Sequence, residues 1–189
     1  MNVKVEEEGN ALIEKIVEIE GMQVMPLLIH ADSRGKFTRI LDEEWFNLST
    51  ASPKQINLSQ NPTSGTLRGM HFQIDGQPEH KVITLISGSI FLVVIDLRKS
   101  SKTYLNKFST YVNVESATSF FIPSGCANGW ITLSENTLVH YAMYSRFETN
   151  KYSGFKYDDP FFAIDWPCEP MVISDQDLNW PPYQSVNDI

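Results

Sequence analysis

Between Lys81 and Arg98 lie two apolar runs, Val82-Ile83-Thr84-Leu85-Ile86 and Ile90-Phe91-Leu92-Val93-Val94-Ile95, separated by Ser87-Gly88-Ser89. β-Branched and aromatic side chains fit a pleated, buried surface, and a glycine-centred triplet is turn chemistry. The pattern predicts a β-hairpin over 81–98. Further strands are expected at 24–29, 37–41, 55–59, 108–114, 119–122, 130–133 and 137–144. Turns such as Ala31-Asp32-Ser33-Arg34-Gly35 and Asn61-Pro62-Thr63-Ser64-Gly65 cut them apart. Helix is expected only at the periphery: a turn or two within 11–19, and a short helix at 42–48 capped by Asp42, with Trp45 and Phe46 packing inward. Lys151 to Phe161 reads as a tight loop. Many short, regularly spaced strands with little helix between them predict an all-β chain, a β-sandwich or jelly roll. Polar residues facing into such a narrow double sheet would line a ligand pocket at its mouth.

The chain has 189 residues, room for one domain or one domain with a docked terminal appendage. We divide it into an appendage over 1–20 and a domain over 21–189. A formal charge of −8 disfavours nonspecific binding to nucleic acid or anionic membranes. A small anionic ligand stays compatible, because a few cations within a cleft outweigh a distant net charge. No run of about 18 apolar residues is present to span a membrane. Glu6, Glu7 and Glu8 oppose the basic opening of a signal peptide, and Cys126 and Cys168 form neither a zinc pattern nor a disulfide framework. The expected location is cytoplasmic.

Chemistry concentrates at Arg68-Gly69-Met70-His71-Phe72-Gln73, followed by Lys81. Side chains alternate along a strand, so Arg68 and His71, an odd number apart, share a face only if Gly69 carries a turn or bulge. Histidine as base, with cations to hold an oxyanion, suits proton abstraction beside a carbonyl. Metal chemistry fits poorly. Jelly rolls of the cupin kind carry metal on a pair of histidines one residue apart and on Pro-x-Gly-x-x-His. Here those places read His71-Phe72-Gln73 and Pro123-Ser124-Gly125-Cys126-Ala127-Asn128. A catalytic metal takes about three protein ligands, which this pattern does not supply. We therefore expect no metal and no cofactor. A histidine base gains from a carboxylate that fixes its tautomer, but sequence distance alone does not choose among 23 acidic residues.

An ordered series of motifs narrows that choice. It runs Asp32-x-Arg34-Gly35-x-Phe37, Gln55-x-Asn57-x-Ser59, Leu67-Arg68-Gly69-x-His71-Phe72-Gln73, Lys81, Asp96-Leu97-Arg98 and Pro123-x-Gly125-x-Ala127-x-Gly129. It then continues through Asp158-Asp159-Pro160, Asp165-Trp166-Pro167 and Ser174-Asp175-x-Asp177. This series, over about residues 20 to 180, resembles the dTDP-4-dehydrorhamnose 3,5-epimerase family, metal-free cupins acting on nucleotide-linked 4-keto-6-deoxy sugars. The resemblance implies a double-stranded β-helix, the cupin jelly roll. It implies His71 as base with Asp177 as its carboxylate, and Arg68 and Lys81 polarising the C4 carbonyl. Tyr141 would donate a proton from the opposite face. Arg34, Phe37, Gln55 and Asn57, with Ser59, Gln73 and Asn128, would bind the nucleotide sugar. Arg34 is in some members given to the neighbouring subunit's pocket, which implies a homodimer.

Three positions depart from the family pattern. Asn128 stands where many members have histidine, Arg39 where they have glutamate, and Phe147 where they have a second tyrosine. Phe147 lacks the hydroxyl for a second proton route, so the expected activity is epimerisation at C3, C5 or both. The alternatives are a monofunctional epimerase of a modified-sugar pathway and a nucleotide-sugar-binding cupin without catalysis. The joint presence of His71, Asp177, Lys81 and Tyr141 favours the enzyme. A ketoisomerase-like cupin would carry additional histidines near the first motif, and this chain has none there.

Overall fold

The computed structural model describes residues 19–42, 45, 52–73, 79–145 and 151–183. Twelve strands follow in chain order: β1 (Gln23–Pro26), β2 (Ile29–Asp32), β3 (Gly35–Thr38), β4 (Gln55–Asn61), β5 (Leu67–Gln73), β6 (Lys81–Ser87), β7 (Ser89–Asp96), β8 (Lys107–Asn113), β9 (Thr118–Ile122), β10 (Cys126–Thr132), β11 (Thr137–Met143) and β12 (Tyr152–Gly154). They build two five-stranded sheets, β1-β9-β6-β11-β4 and β12-β5-β10-β7-β8, and a two-stranded ribbon, β2-β3. The strand pairs within these sheets are antiparallel. This is the all-β jelly roll expected from the strand pattern. Helix is represented by a 3-10 turn at Val114–Ser116 and by α1 (Asp175–Leu178). No helix among the described residues is long and apolar enough to cross a membrane. The helical turns expected over 11–19 and 42–48 fall almost wholly outside the described residues.

The hairpin expected over 81–98 is not formed. Both runs are strands, but β6 pairs with β9 and β11 in the first sheet while β7 pairs with β10 and β8 in the second. The link between them crosses from one sheet to the other. Burial explains why: β6 is buried from Lys81 to Leu85 and β7 from Ile90 to Asp96, with no wet face in either stretch. A hairpin of an open sheet would alternate apolar and polar, whereas a strand covered on both sides reads as a continuous apolar run. Gly88 makes the crossing with φ of +85°, and a Cβ there would lie 2.4 Å from Thr137 Oγ1.

Period-two alternation distributes the core. Ile90, Leu92 and Val94 of β7 face Ile83, Leu85 and Val139 between the sheets. Phe91, Val93 and Ile95 point the other way, with Leu67, Met70, Phe72 and Ile131, and are covered by Phe155 and Phe162 of the C-terminal segment. A third cluster, Val82, Phe121, Ala142 and Tyr144, lies under Met25, Leu41 and Trp45. Each fully buried aliphatic or aromatic side chain contributes roughly 1.5–3 kcal/mol. Ile19 belongs to the core between the sheets, and Glu20 accepts from the Lys102 amide, so the chain is tied down from its first described residues.

The Asp96-Leu97-Arg98 motif serves the frame rather than the pocket. Burial alone would raise the Asp96 carboxyl, yet hydrogen bonds from Arg98, Ser101 and Thr103 hold it down at about 2. Arg98 also donates to the Glu20 carbonyl, joining the end of β7 to the chain's entry.

Candidate active site

A cavity of about 430 Å³ opens between β4-β11-β6 of the first sheet and β12-β5-β10 of the second. Its shape depends on one irregularity. In the β5–β10 pairing Asn128 lies opposite His71, but Trp130 lies opposite Arg68, so two residues of β5, Gly69 and Met70, fall against one of β10, Gly129. This is the bulge that the Arg68-to-His71 spacing requires. It brings both side chains to the cavity while Leu67, Met70 and Phe72 stay in the outer core. Gly69 carries the bulge with φ of +135°, and a Cβ on it would sit 2.6 Å from the Gly129 Cα. A glycine on each strand is what lets the two backbones approach so closely.

His71 is bound from below by Asp177. Nε2 meets Asp177 Oδ1 at 2.6 Å, with the two side chains 18% and 6% exposed. Asp177 is held by its own short helix: Ser174 caps α1 and its hydroxyl accepts from the Asp177 amide. The Asp177 carboxylate also accepts from the Gly69 amide at 3.2 Å and from Trp180 Nε1 at 3.3 Å. Burial pushes this carboxyl up, but the His71, Gly69 and Trp180 donors hold it below its ordinary value. With Nε2 turned to Asp177, Nδ1 is the nitrogen left for a substrate. The imidazole lies beside two rings, Tyr152 at 5.1 Å and Trp180 at 6.5 Å between centroids.

The cations stand beside this pair. Lys81 reaches across from β6, with Nζ donating to Asn128 Oδ1 at 2.9 Å and lying 3.4 Å from Glu79 Oε2. Arg68 donates through Nε to Asn61 Oδ1 at 2.9 Å. Tyr141 faces the cavity from β11 of the first sheet, its strand neighbours being Asn57 and Ile83. A base with a fixed partner on one wall, a phenol on the other and two cations along the same cavity suit proton removal and return at a carbon beside a carbonyl.

The predicted binding residues divide. Gln55, Asn57 and Asn128 line the cavity. Ser59 lies behind it, bonded to Asn61, and Gln73 donates to Glu79 and Ser145. Arg34 and Phe37 sit on the β2-β3 ribbon, away from the cavity of their own chain. The Arg34 side chain is 88% exposed and paired with Asp32. Arg39 is paired with Asp42, and Phe147 lies outside the described residues. Sequence reasoning missed Glu79, Asn61, Trp180 and Tyr152. The first two carried a signal, since Glu79 precedes Lys81 by two and Asn61 follows Ser59 by two, which is same-face spacing on a strand. No three His, Cys, Asp or Glu side chains among the described residues converge as metal ligands.

Fold and site together define a cupin-type proton-transfer enzyme. The family model for dTDP-4-dehydrorhamnose 3,5-epimerase matches residues 16–185. The dTDP-4-dehydrorhamnose 3,5-epimerase of Methanothermobacter thermautotrophicus is 33% identical over 168 residues, 87% of this chain and 90% of the relative. The Bacillus anthracis dTDP-4-dehydrorhamnose 3,5-epimerase, solved with TDP and PPi bound, superposes with a TM-score of 0.81 at 29% identity, covering 89% of this chain and 98% of that one. A 3'-monoepimerase from Streptomyces bikiniensis, solved in complex with dTDP-quinovose, gives 0.80 at 25% identity, with 88% and 85% covered. The chain belongs to the dTDP-4-dehydrorhamnose 3,5-epimerase family.

Proposed function

We propose that this chain is an isomerase that epimerises a nucleotide-linked 4-keto-6-deoxyhexose at C3, C5 or both, without metal or cofactor. The His71–Asp177 pair facing Tyr141 across a cavity that also holds Lys81 and Arg68 carries this reading. His71 takes the proton from the carbon beside C4, and the electron pair of the C–H bond moves onto the C4 oxygen as an enolate. Lys81 and Arg68 hold that oxyanion; preorganised donors of this kind contribute several kcal/mol to the transition state. Flattening the carbon erases its configuration, and a proton from Tyr141 on the other face inverts it. The resulting imidazolium and phenolate return to their starting states by exchange with water. Gln55, Asn57 and Asn128 bind the substrate within the cavity, with Gln73 bracing Glu79 on its wall and Ser59 bracing Asn61 behind it.

Incubation with dTDP-4-keto-6-deoxyglucose in D₂O tests this directly. Deuterium should enter at C3, C5 or both, and the same turnover should survive exhaustive EDTA treatment. An absence of exchange at both carbons sinks the epimerase reading. Loss of turnover with EDTA, restored by one divalent ion, sinks the metal-free part.

We also propose a homodimer in which Arg34 and Phe37 serve the neighbouring cavity. On the edge strand β4, Gln55, Asn57 and Ser59 face inward, which leaves Ile56 and Leu58 on the outside at 66% and 62% exposure. Phe37 on the ribbon is 64% exposed. An edge strand that carries no charge and exposes two large apolar side chains is a surface built to be covered. Light scattering should return about twice the 21.5 kDa chain mass. A monomer of undiminished specific activity would refute a shared site. The unpaired Cys126 and Cys168 fit a reducing, cytoplasmic location, and of the division proposed, an appendage over 1–20 and one domain over 21–189, Ile19 and Glu20 pack with the domain.

A further inference from the structure

Arg34 is paired with Asp32, Arg39 with Asp42 and Arg98 with Asp96. Arg68 is the exception among the described arginines, because its anchor is neutral: Nε donates to Asn61 Oδ1 at 2.9 Å. Asn61 ends β4 in the first sheet and Arg68 stands on β5 in the second, so this bond joins the two sheets beside the cavity that Arg68 lines. Asn61 is 1% exposed, and its amide is used to capacity. Nδ2 donates to the carbonyls of Ser59 and Thr137 at 3.3 and 3.2 Å, and Oδ1 also accepts from Ser59 Oγ at 3.4 Å. Turned over, the amide would set its oxygen against two carbonyl oxygens and its N–H₂ against the Nε–H of Arg68. Its oxygen therefore has one place, facing the guanidinium. With Nε taken, Nη1 and Nη2 are the donors left, and no protein acceptor among the described residues holds either. A carboxylate anchor would fix the guanidinium and also offset its charge. A neutral amide fixes it and leaves the charge for an anion in the cavity.

We propose that Asn61 is a positioning residue, which orders Arg68 for the oxyanion formed at C4 and does not itself touch the substrate. An unanchored arginine would have to be ordered as the enolate forms, whereas donors fixed beforehand need no reorganisation at that moment. The inference rests on the epimerase reading. It gives the two cations different supports: Lys81 stands between Asn128 and the Glu79 carboxylate, and Arg68 against an amide alone.

The test is Asn61→Ala, made alone and together with Arg68→Ala, with Asn61→Leu in parallel to keep the buried volume. Two quantities are read: the rate of deuterium entry from D₂O into dTDP-4-keto-6-deoxyglucose, and the affinity for dTDP alone. With Arg68 present, either Asn61 variant should slow exchange about 5- to 20-fold, the scale of one hydrogen bond to a charged group. Loss of the arginine itself should cost more, about 10²-fold. In the Arg68→Ala background the Asn61 substitutions should change exchange by less than about twofold, because nothing is left for Asn61 to position. The affinity for dTDP should stay within about threefold, which also reports an intact cavity. A residue that serves only the frame would slow both backgrounds alike, so equal losses in the two overturn the proposal. A loss of less than about fivefold with Arg68 present overturns it as well. So does a parallel loss of dTDP affinity, or a failure of both Asn61 variants to fold, since each assigns Asn61 to the nucleotide side or to the frame. Wild-type protein that exchanges nothing would remove the epimerase reading and this inference with it. A wild type that exchanges, beside unaffected Asn61 variants, removes the inference alone.

Discussion

His71→Asn is expected to lower the rate of deuterium entry into the substrate by about 10²-fold or more, the usual scale for losing a general base. The choice of asparagine follows from the geometry beneath it. Asp177 is buried, and its 2.6 Å contact with Nε2 is one of three donors that keep its carboxylate charged. An asparagine amide can still turn an N–H towards that carboxylate. Alanine would leave a buried charge short of a donor, at a cost of about 1–3 kcal/mol or more. His71→Ala should therefore melt below His71→Asn, while the two are equally inactive. Affinity for dTDP should survive in the asparagine variant. A folded His71→Asn protein that keeps more than about a tenth of wild-type exchange would place the base on another residue.

The parts of the fold that were legible in the sequence were those set by local composition. Strand positions at 55–59, 108–114 and 137–144 follow from β-branched and aromatic runs, and β4, β8 and β11 lie there. Which strand pairs with which was not local. The 81–98 pair reads as a hairpin because a glycine separates two strands, yet both faces of each strand are buried, and that absence of alternation marks an inter-sheet crossing. The site divides in the same way. The demand for a bulge at Gly69 could be deduced from the parity of Arg68 and His71. Asp177, 106 residues from His71, could be named only through the family resemblance, because nothing in its neighbourhood distinguishes it from a helix-cap acid.

Tyr152 was the least legible. It begins a three-residue strand inside a stretch read as a loop, and it becomes a strand only because β5 offers an unpaired edge there. Trp180 shares that origin, since its indole reaches the dyad through the chain turn after α1. Arg34 and Phe37 mark the opposite case. Their motif is plain in the sequence, but their own chain keeps them on the ribbon, so the role proposed for them depends on a second copy.

Asp177→Asn should be nearly as damaging as loss of the histidine, for a reason that concerns tautomers rather than charge alone. In the native pair the carboxylate only accepts, so the Nε2 proton of neutral His71 points to Asp177 and Nδ1 keeps its lone pair for the substrate. Asp177 gives Oδ2 to the Gly69 amide and Oδ1 to both Nε2 and Trp180 Nε1, so an asparagine whose one oxygen keeps the Gly69 amide puts its N–H₂ where Oδ1 stood, towards Nε2. Nε2 then becomes the acceptor, and the proton moves to Nδ1, where it blocks the base. A wrong-tautomer dyad of this kind loses about 10²- to 10⁴-fold in rate. Because the two residues act as one unit, the His71→Asn/Asp177→Asn double variant should be little worse than either single one. Stability gives an independent readout. The Asp177 carboxyl is depressed in the folded protein, so its contribution is complete above the ordinary carboxylate value and is lost as pH falls through the folded one. The difference in melting temperature between wild type and Asp177→Asn should accordingly be full at neutral pH and shrink below about pH 4. A difference that stays constant into acid, or a variant that exchanges deuterium at the wild-type rate, would show that Asp177 does not orient His71.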